Sequence, residues 1–283
     1  MSALKFIQDL DRRWIYLLCW IFVLYPLIFP LGLPIPIGKQ STTWYAAVDA
    51  VKPGTTVLFA PMYDPSAIPE LFPMSIATFR HLLQKDVKIV VVTFWAAGAL
   101  VFDQVLTQVN PTDYNKVYGV DWIDLGYIPG TETAMASFSK DPVGTASTDF
   151  LQHNPTSSYA IMQNIKSAAD FSLIVSIETG TPGAGEWLRQ AQAPYGTPII
   201  VGCVGVSAPG MMPFVQSGQI SALLPGLTAS AEYETLLTKS GLGRPGLAIA
   251  GVDAVSTSHL LIVLLIVLGN IAYFASRGSK GGK

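Results

Sequence analysis

The chain is predicted to fold as a doubly wound, mostly parallel, Rossmann-like α/β sheet of about six strands, flanked by N- and C-terminal transmembrane helices. Three observations predict this. Between residues 40 and 255, apolar runs of strand length recur, each followed by a Gly/Pro-rich bend and an amphipathic stretch, the rhythm of βα units. Several of these runs are apolar on both faces, as a sheet covered on both sides requires. Finally, two long uncharged stretches bracket the repeating region, in a chain that is 50% hydrophobic and only 13% charged. Its mean hydropathy of +0.42 is high for a water-soluble domain.

The first element is a short tail, 1–13, followed by a span at 14–34 that carries no charge and is near the length of a bilayer-crossing helix. It is read as a retained anchor: Asp9 and Asp11 precede it, and no small-residue cleavage site follows. Trp14, Tyr16, Trp20 and Tyr25 suit interfacial or partner-facing positions, and Pro26, Pro30, Pro34 and Pro36 make its exit kinked or extended.

Strands are expected at 56–63, 88–95, 121–128, 171–179, 197–205 and 220–227. Helices are expected between them. After Pro73, placed in a first turn, Ile76, Phe79 and Leu83 recur at helical spacing with Arg80 and Lys85 facing water. Segments 98–109, 186–193 and 230–237 supply three more, the last with Ser230 and Glu232 suited to a cap and first turn. Residues 129–158 are rich in Gly, Ser, Thr, Asp and Pro and are expected to form a lid or docking loop. Residues 241–258 read as a linker returning to the membrane, 259–276 as the second span and 277–283 as a second tail.

Lys5, Arg12 and Arg13 before the first span, and Arg277, Lys280 and Lys283 after the second, put both termini in the cytoplasm. The 40–240 domain is then extracytoplasmic. Acidic residues outnumber basic ones between the spans, which leaves no basic face for nucleic acid. Cys19 and Cys203 form no disulfide framework.

In doubly wound sheets ligands sit at the carboxyl ends of the strands, so the candidate crevice comprises Tyr63, Asp64, Trp95, Tyr127, Glu178, Thr179 and Ser207, with Gly183 and Gly185 in the adjoining bend. That bend, Gly180 to Trp187, matches both glycines of a P-loop but puts Glu186 and Trp187 where the phosphate-binding Lys and Ser/Thr belong. As a dinucleotide motif it fails at Leu188, which replaces the third glycine. Nucleotide binding is therefore not expected, and the glycines are read as serving the turn, on the expectation that Gly183 or Gly185 needs positive φ.

Ser207 stands in G-x-S-x-P instead of the G-x-S-x-G of a nucleophile elbow, and His81, His153 and His259 give it no obvious base. Asp64 and Glu178 could form an acid/base pair, although Asp64 before Pro65 is equally a turn residue. No His/Cys spacing suggests a metal, and no cofactor is expected. The segment 211–214, with Met211, Met212 and Phe214, is core or, if exposed, a contact surface. Asn270 in the second span is a polar residue suited to helix contacts in lipid.

The function expected by elimination is a non-enzymatic subunit of a larger membrane complex. Its partners are the bilayer and either membrane proteins or further copies of itself. The alternatives are a small-ligand domain using the crevice near Glu178 and Thr179, or a degenerate hydrolase built on Ser207 or on Asp64 and Glu178.

Overall fold

The computed structural model describes residues 11–280. Lys5 and Lys283, which contribute to the charge argument, lie outside them. Two compact units partition the chain: residues 1–34 with 249–283, and residues 35–248.

The larger unit is an α/β domain whose six strands are all parallel, in the order β3-β2-β1-β4-β5-β6. The strands are β1 Thr56–Met62, β2 Lys88–Thr93, β3 Trp122–Tyr127, β4 Phe171–Glu178, β5 Ile199–Cys203 and β6 Ala222–Pro225. Each lies inside the run that its apolar residues predict. The strand order reverses between β1 and β4, which stand side by side from Thr56–Phe171 to Met62–Glu178. Their carboxyl ends are the switch point of the fold.

Helices cover both faces. In this unit α2 spans Lys39–Asp49, α3 Ile68–Leu83, α4 Gly98–Gln108 and α5 Thr131–Lys140. After β4, α6 opens as Ala184–Trp187, passes through a π-helical turn at Leu188–Gln192 and closes as Ala193–Tyr195. Then come α7, Ala208–Gln216, and α8, Gly226–Lys239. One core gathers Trp44, Phe59, Phe79, Phe102 and Tyr233, and the other gathers Phe94, Phe138, Phe171 and Trp187. These aromatics are among the largest fully buried side chains of the domain.

Three expectations are corrected here. Pro73 is not in a first turn: α3 begins five residues earlier, with Pro69 taking the early position, and Pro73 sits buried inside the helix. The segment 129–158 is not a loose loop, since it contains α5, a further turn of helix at Pro142–Thr145 and a bridge between Thr148 and Pro155. Asp149 organises the rest. Only 1% exposed, it accepts hydrogen bonds from Tyr118 Oη (2.7 Å), Tyr159 Oη (2.9 Å) and the N–H groups of Gln152 and Asn154 (2.7 and 2.8 Å). Burial opposes its charge, but these donors outweigh that cost and hold its carboxyl below the ordinary range.

The third correction concerns 241–258. From Leu247 this segment is helical, and one helix, α9, runs from Leu247 to Lys280. Its stretch Leu247–Phe274 is 28 residues long with hydropathy 2.1 and mostly exposed, so it is long and apolar enough to cross a membrane. The N-terminal helix, α1, covers Arg12–Ile28, 17 residues, and ends earlier than the expected 34 because the chain is extended around Pro30 and Pro34. It is thus shorter than the span anticipated. Within this smaller unit, Thr257 Oγ1 donates to Phe22 O at 2.7 Å, and the buried Asp253 carboxylate accepts from Leu31 and Gly32 N–H at 2.8 Å and from Leu33 N–H at 3.1 Å. Gly32, at φ +64, lets the backbone turn three donors toward one side chain.

Candidate functional site

The switch point is the place to look for a ligand, and the chain itself fills it. Glu178, the last residue of β4, is 1% exposed. Its carboxylate accepts from Ser176 Oγ at 2.8 Å and from the Ala184 N–H. The bend between β4 and α6 folds back over it: a Cβ on Gly183 would lie 2.6 Å from that carboxyl group and 2.3 Å from Gly180 O. Gly183 therefore answers to close approach. Its φ of −168° is extended backbone, and Gly185 has no positive φ either, so the expected left-handed requirement does not hold at either position.

At a phosphate-binding bend the N–H groups at the helix start are left for the anion. Here Glu186 Oε2 accepts the Gly183 N–H at 2.7 Å, and Glu178 takes that of Ala184. Arg189 Nη2 meets Glu186 Oε1 at 2.8 Å and, with Nε, grips Glu132 at 2.8 and 3.0 Å. The cation beside the bend, Arg189, is thus bound to two carboxylates. Trp95 Nε1 donates to Pro182 O at 2.7 Å and fastens the bend to the end of β2. Burial pushes the Glu178 carboxyl up to about 7, and the neighbouring Glu186 adds to the rise, while the bonds from Ala184 and Ser176 restrain it.

The other predicted residues do not converge. Tyr63 is buried with its hydroxyl 2.7 Å from Ser75 Oγ. Asp64 caps the turn at Pro65–Ala67, accepting from Ser66 N–H at 2.8 Å; its pKa is lowered by the Ser66 hydroxyl first and then by this N–H. It shares no hydrogen bond with Glu178 among those described, and so the two carboxylates serve separate local turns. Thr179 has a buried hydroxyl without a partner. Tyr127 is exposed and lines a shallow cavity of about 400 Å³ with Ser147, Asp149, Phe150 and His153. Ser207 precedes α7. His81 is buried, its Nδ1 2.8 Å from Tyr233 Oη and its ring stacked on Tyr45 at 5.0 Å, while its Nε2 is 3.8 Å from Asp49 at the amino-terminal side of the sheet. Burial and the Lys85 ammonium drop its pKa to about 4, against the opposing pull of Asp49. It is not placed to serve Ser207.

Met211, Met212 and Phe214 lie on α7, a helix none of whose residues is fully buried, and they pack only in part on the Trp187 core. Asn270 is exposed on α9, with its Nδ2 bonded to Ile266 O at 2.8 Å one turn earlier. That local bond satisfies its donor without a partner helix. Among the described residues no group of three or more His, Cys, Asp or Glu side chains could hold a metal ion.

Sequence reasoning missed a set of carboxylates that cap backbone donors. Besides Glu178 and Glu186, Glu70 accepts from Gly205 N–H at 2.8 Å, Glu232 from Gly38 N–H at 2.8 Å, and Asp253 from the 31–33 turn. For Asp253 a signal existed: it is a lone carboxylate in an uncharged run, a residue that such a setting retains only with a partner. For Glu70 and Glu232 the bonded glycines lie 135 and 194 residues away, beyond any local pattern. Comparison of the chain with protein-family models, with characterised proteins and with solved structures finds no match.

Proposed function

We propose that this protein is a membrane-anchored, non-enzymatic subunit whose extracytoplasmic α/β domain docks other chains of a membrane complex. The observation that carries the reading is the occupied switch point. The N–H groups of Gly183 and Ala184, the cation Arg189 and the space above β4 are all engaged by Glu178, Glu186 and Glu132, which leaves little there to bind or activate a substrate. Ser207 without a base and Asp64 apart from Glu178 weigh against hydrolysis in the same way. The apolar α9 supports residence in a membrane, and α1 is proposed as the second span, both termini cytoplasmic on the basis of their Lys and Arg residues.

The docking surface proposed is α7. Its Met and Phe side chains are half-buried, and Met adapts its shape to a partner. A photoreactive amino acid at Met212, in native membranes, tests this. A discrete protein adduct, absent when the same group replaces Lys52 at the opposite edge of the sheet, supports docking; labelling of lipid or of nothing at Met212 removes α7 as a contact surface.

A further inference from the structure

All six strands are parallel, so the connections that follow them share one edge of the sheet. The segments at that edge are 63–67, 94–97, 128–130, 179–183 and 204–207, and Asp64 is their only charged residue. Of the helix-opening carboxylates next to them, Glu70 is turned to Gly205 N–H and Glu186 to Gly183 N–H, while the more exposed Glu132 is paired with Arg189. At the opposite edge stand Lys52, Lys85, Asp86, Asp113, Lys116 and Asp121. The connecting segments at the carboxyl end of the sheet thus carry little charge of their own, the exposed charges in the opening turns of the neighbouring helices being Lys39, Asp103 and the Glu132–Arg189 pair.

These segments and the adjoining helix starts also present apolar side chains to solvent. Val206 is 88% exposed and Leu100 67%, and Trp95, Pro209 and Ala96 are at least partly exposed beside them. Hydrophobic side chains held this far into solvent mark a contact surface. What they contact is indicated by where the chain enters the domain. Gly38 N–H bonds Glu232 within the first two turns of α8, and Gln40 Nε2 lies 3.7 Å from Met212 Sδ in α7, helices that both start from this same edge. The incoming segment is Ile35-Pro36-Ile37-Gly38, four uncharged residues that continue the uncharged sequence from Trp14 onward. The tether and the rim therefore share one end of the domain.

We infer that the apolar rim around Leu100 and Val206 rests in the interfacial layer of the lipid bilayer. An interfacial surface needs apolar and aromatic side chains that enter the headgroup boundary and few carboxylates to be repelled by anionic lipid; the rim has Val206, Leu100 and Trp95, with Asp64 the one acid in its connecting segments and Glu132 beside them neutralised by Arg189. The inference rests on the membrane-anchoring part of the proposed function and is independent of the docking role of α7.

The test uses the full chain in lipid discs, with Cys19 replaced by serine and an environment-sensitive fluorophore on Val206→Cys or, separately, on Val117→Cys, which is 57% exposed near the opposite edge. Lipids carrying a headgroup-level spin label are expected to remove most of the emission at position 206 and to leave position 117 unchanged, with a blue-shifted spectrum at 206. Equal, weak quenching at both positions in protein that floats with the membrane overturns the inference and leaves the anchor intact. Failure of the protein to float with lipid at all overturns the anchor itself. Shielding at 206 that persists in detergent and fades on dilution assigns the rim to a second copy and also overturns the inference. Leu100→Cys repeats the measurement at a second rim position should the 206 variant lose its thermal transition.

Discussion

Glu178 shows how one residue ties fold, pH response and site together. Its carboxyl is pushed from 4.5 to about 7 by burial, so the folded domain binds its proton more tightly than the unfolded chain does. A raised carboxyl contributes stability that is full below the unfolded value and is lost as pH rises through the folded one. Stability should therefore fall between about pH 5 and pH 8, by on the order of 3 kcal/mol for a shift of this size. Asp124, 2% exposed and also raised to about 7 by burial, adds to the same slope. Glu178→Gln is expected to flatten it, as read by thermal unfolding at a series of pH values; an unchanged slope in that variant would place the titration elsewhere. The neighbouring glycines separate just as cleanly. Gly183→Ala meets Gly180 O and the Glu178 carboxyl and should cost about 1–3 kcal/mol as an overpacking change. Gly185→Ala finds only the end of Arg189 at 3.5 Å and should be neutral or mildly stabilising. Equal melting temperatures for the two variants would contradict the close-approach account.

At the scale of the element, the strands were legible because a buried parallel strand leaves a continuous apolar run, and all six lie within their predicted bounds. Helix starts were less so. Pro73 inside α3 is tolerated in a stretch whose neighbours Leu71, Phe72, Met74 and Ile76 are all buried in one core, information that a first-turn rule does not hold. The segment 129–158 looked like a loop since its composition is polar, yet Asp149 supplies it with a buried hub that becomes visible only when Tyr118 and Tyr159 are brought alongside. The linker reading of 241–258 failed for a related reason. Small residues and glycines there mark close packing, and α9 already begins at Leu247. Asp253 makes that helix testable. Asp253→Ala leaves the Leu31, Gly32 and Leu33 N–H groups without their acceptor and should cost about 1–3 kcal/mol or more, seen as faster amide exchange at 31–33 in detergent. Asp253→Asn keeps one acceptor oxygen and should fall between. Unaltered exchange in the alanine variant would show that water satisfies this turn.

For the whole molecule, the polarity of the sequence set the architecture, a covered parallel sheet joined to largely apolar helical segments, whereas the candidate site was legible only as a location. The switch point could be placed from strand order, but whether it was open depended on the rotamers of Glu178 and Glu186, which no spacing records. Topology is tested with Ser147→Cys, an exposed position, on a Cys19→Ser background. Cys203 can stay, because burial first, and then Glu178 and Glu70, push its thiol up to about 12. Labelling by an impermeant thiol reagent in intact cells is expected; protection there, with labelling after permeabilisation, would reverse the proposed orientation. The central claim is that the protein works as one subunit of a larger membrane assembly, and the most direct measurement is the mass of the particle extracted in mild detergent or lipid discs. A stable complex well above the 30.4 kDa chain is predicted, containing further chains and weakened by Met211→Asp with Met212→Asp. A monodisperse monomer across mild detergents and discs, with no co-purifying chain, would contradict the account.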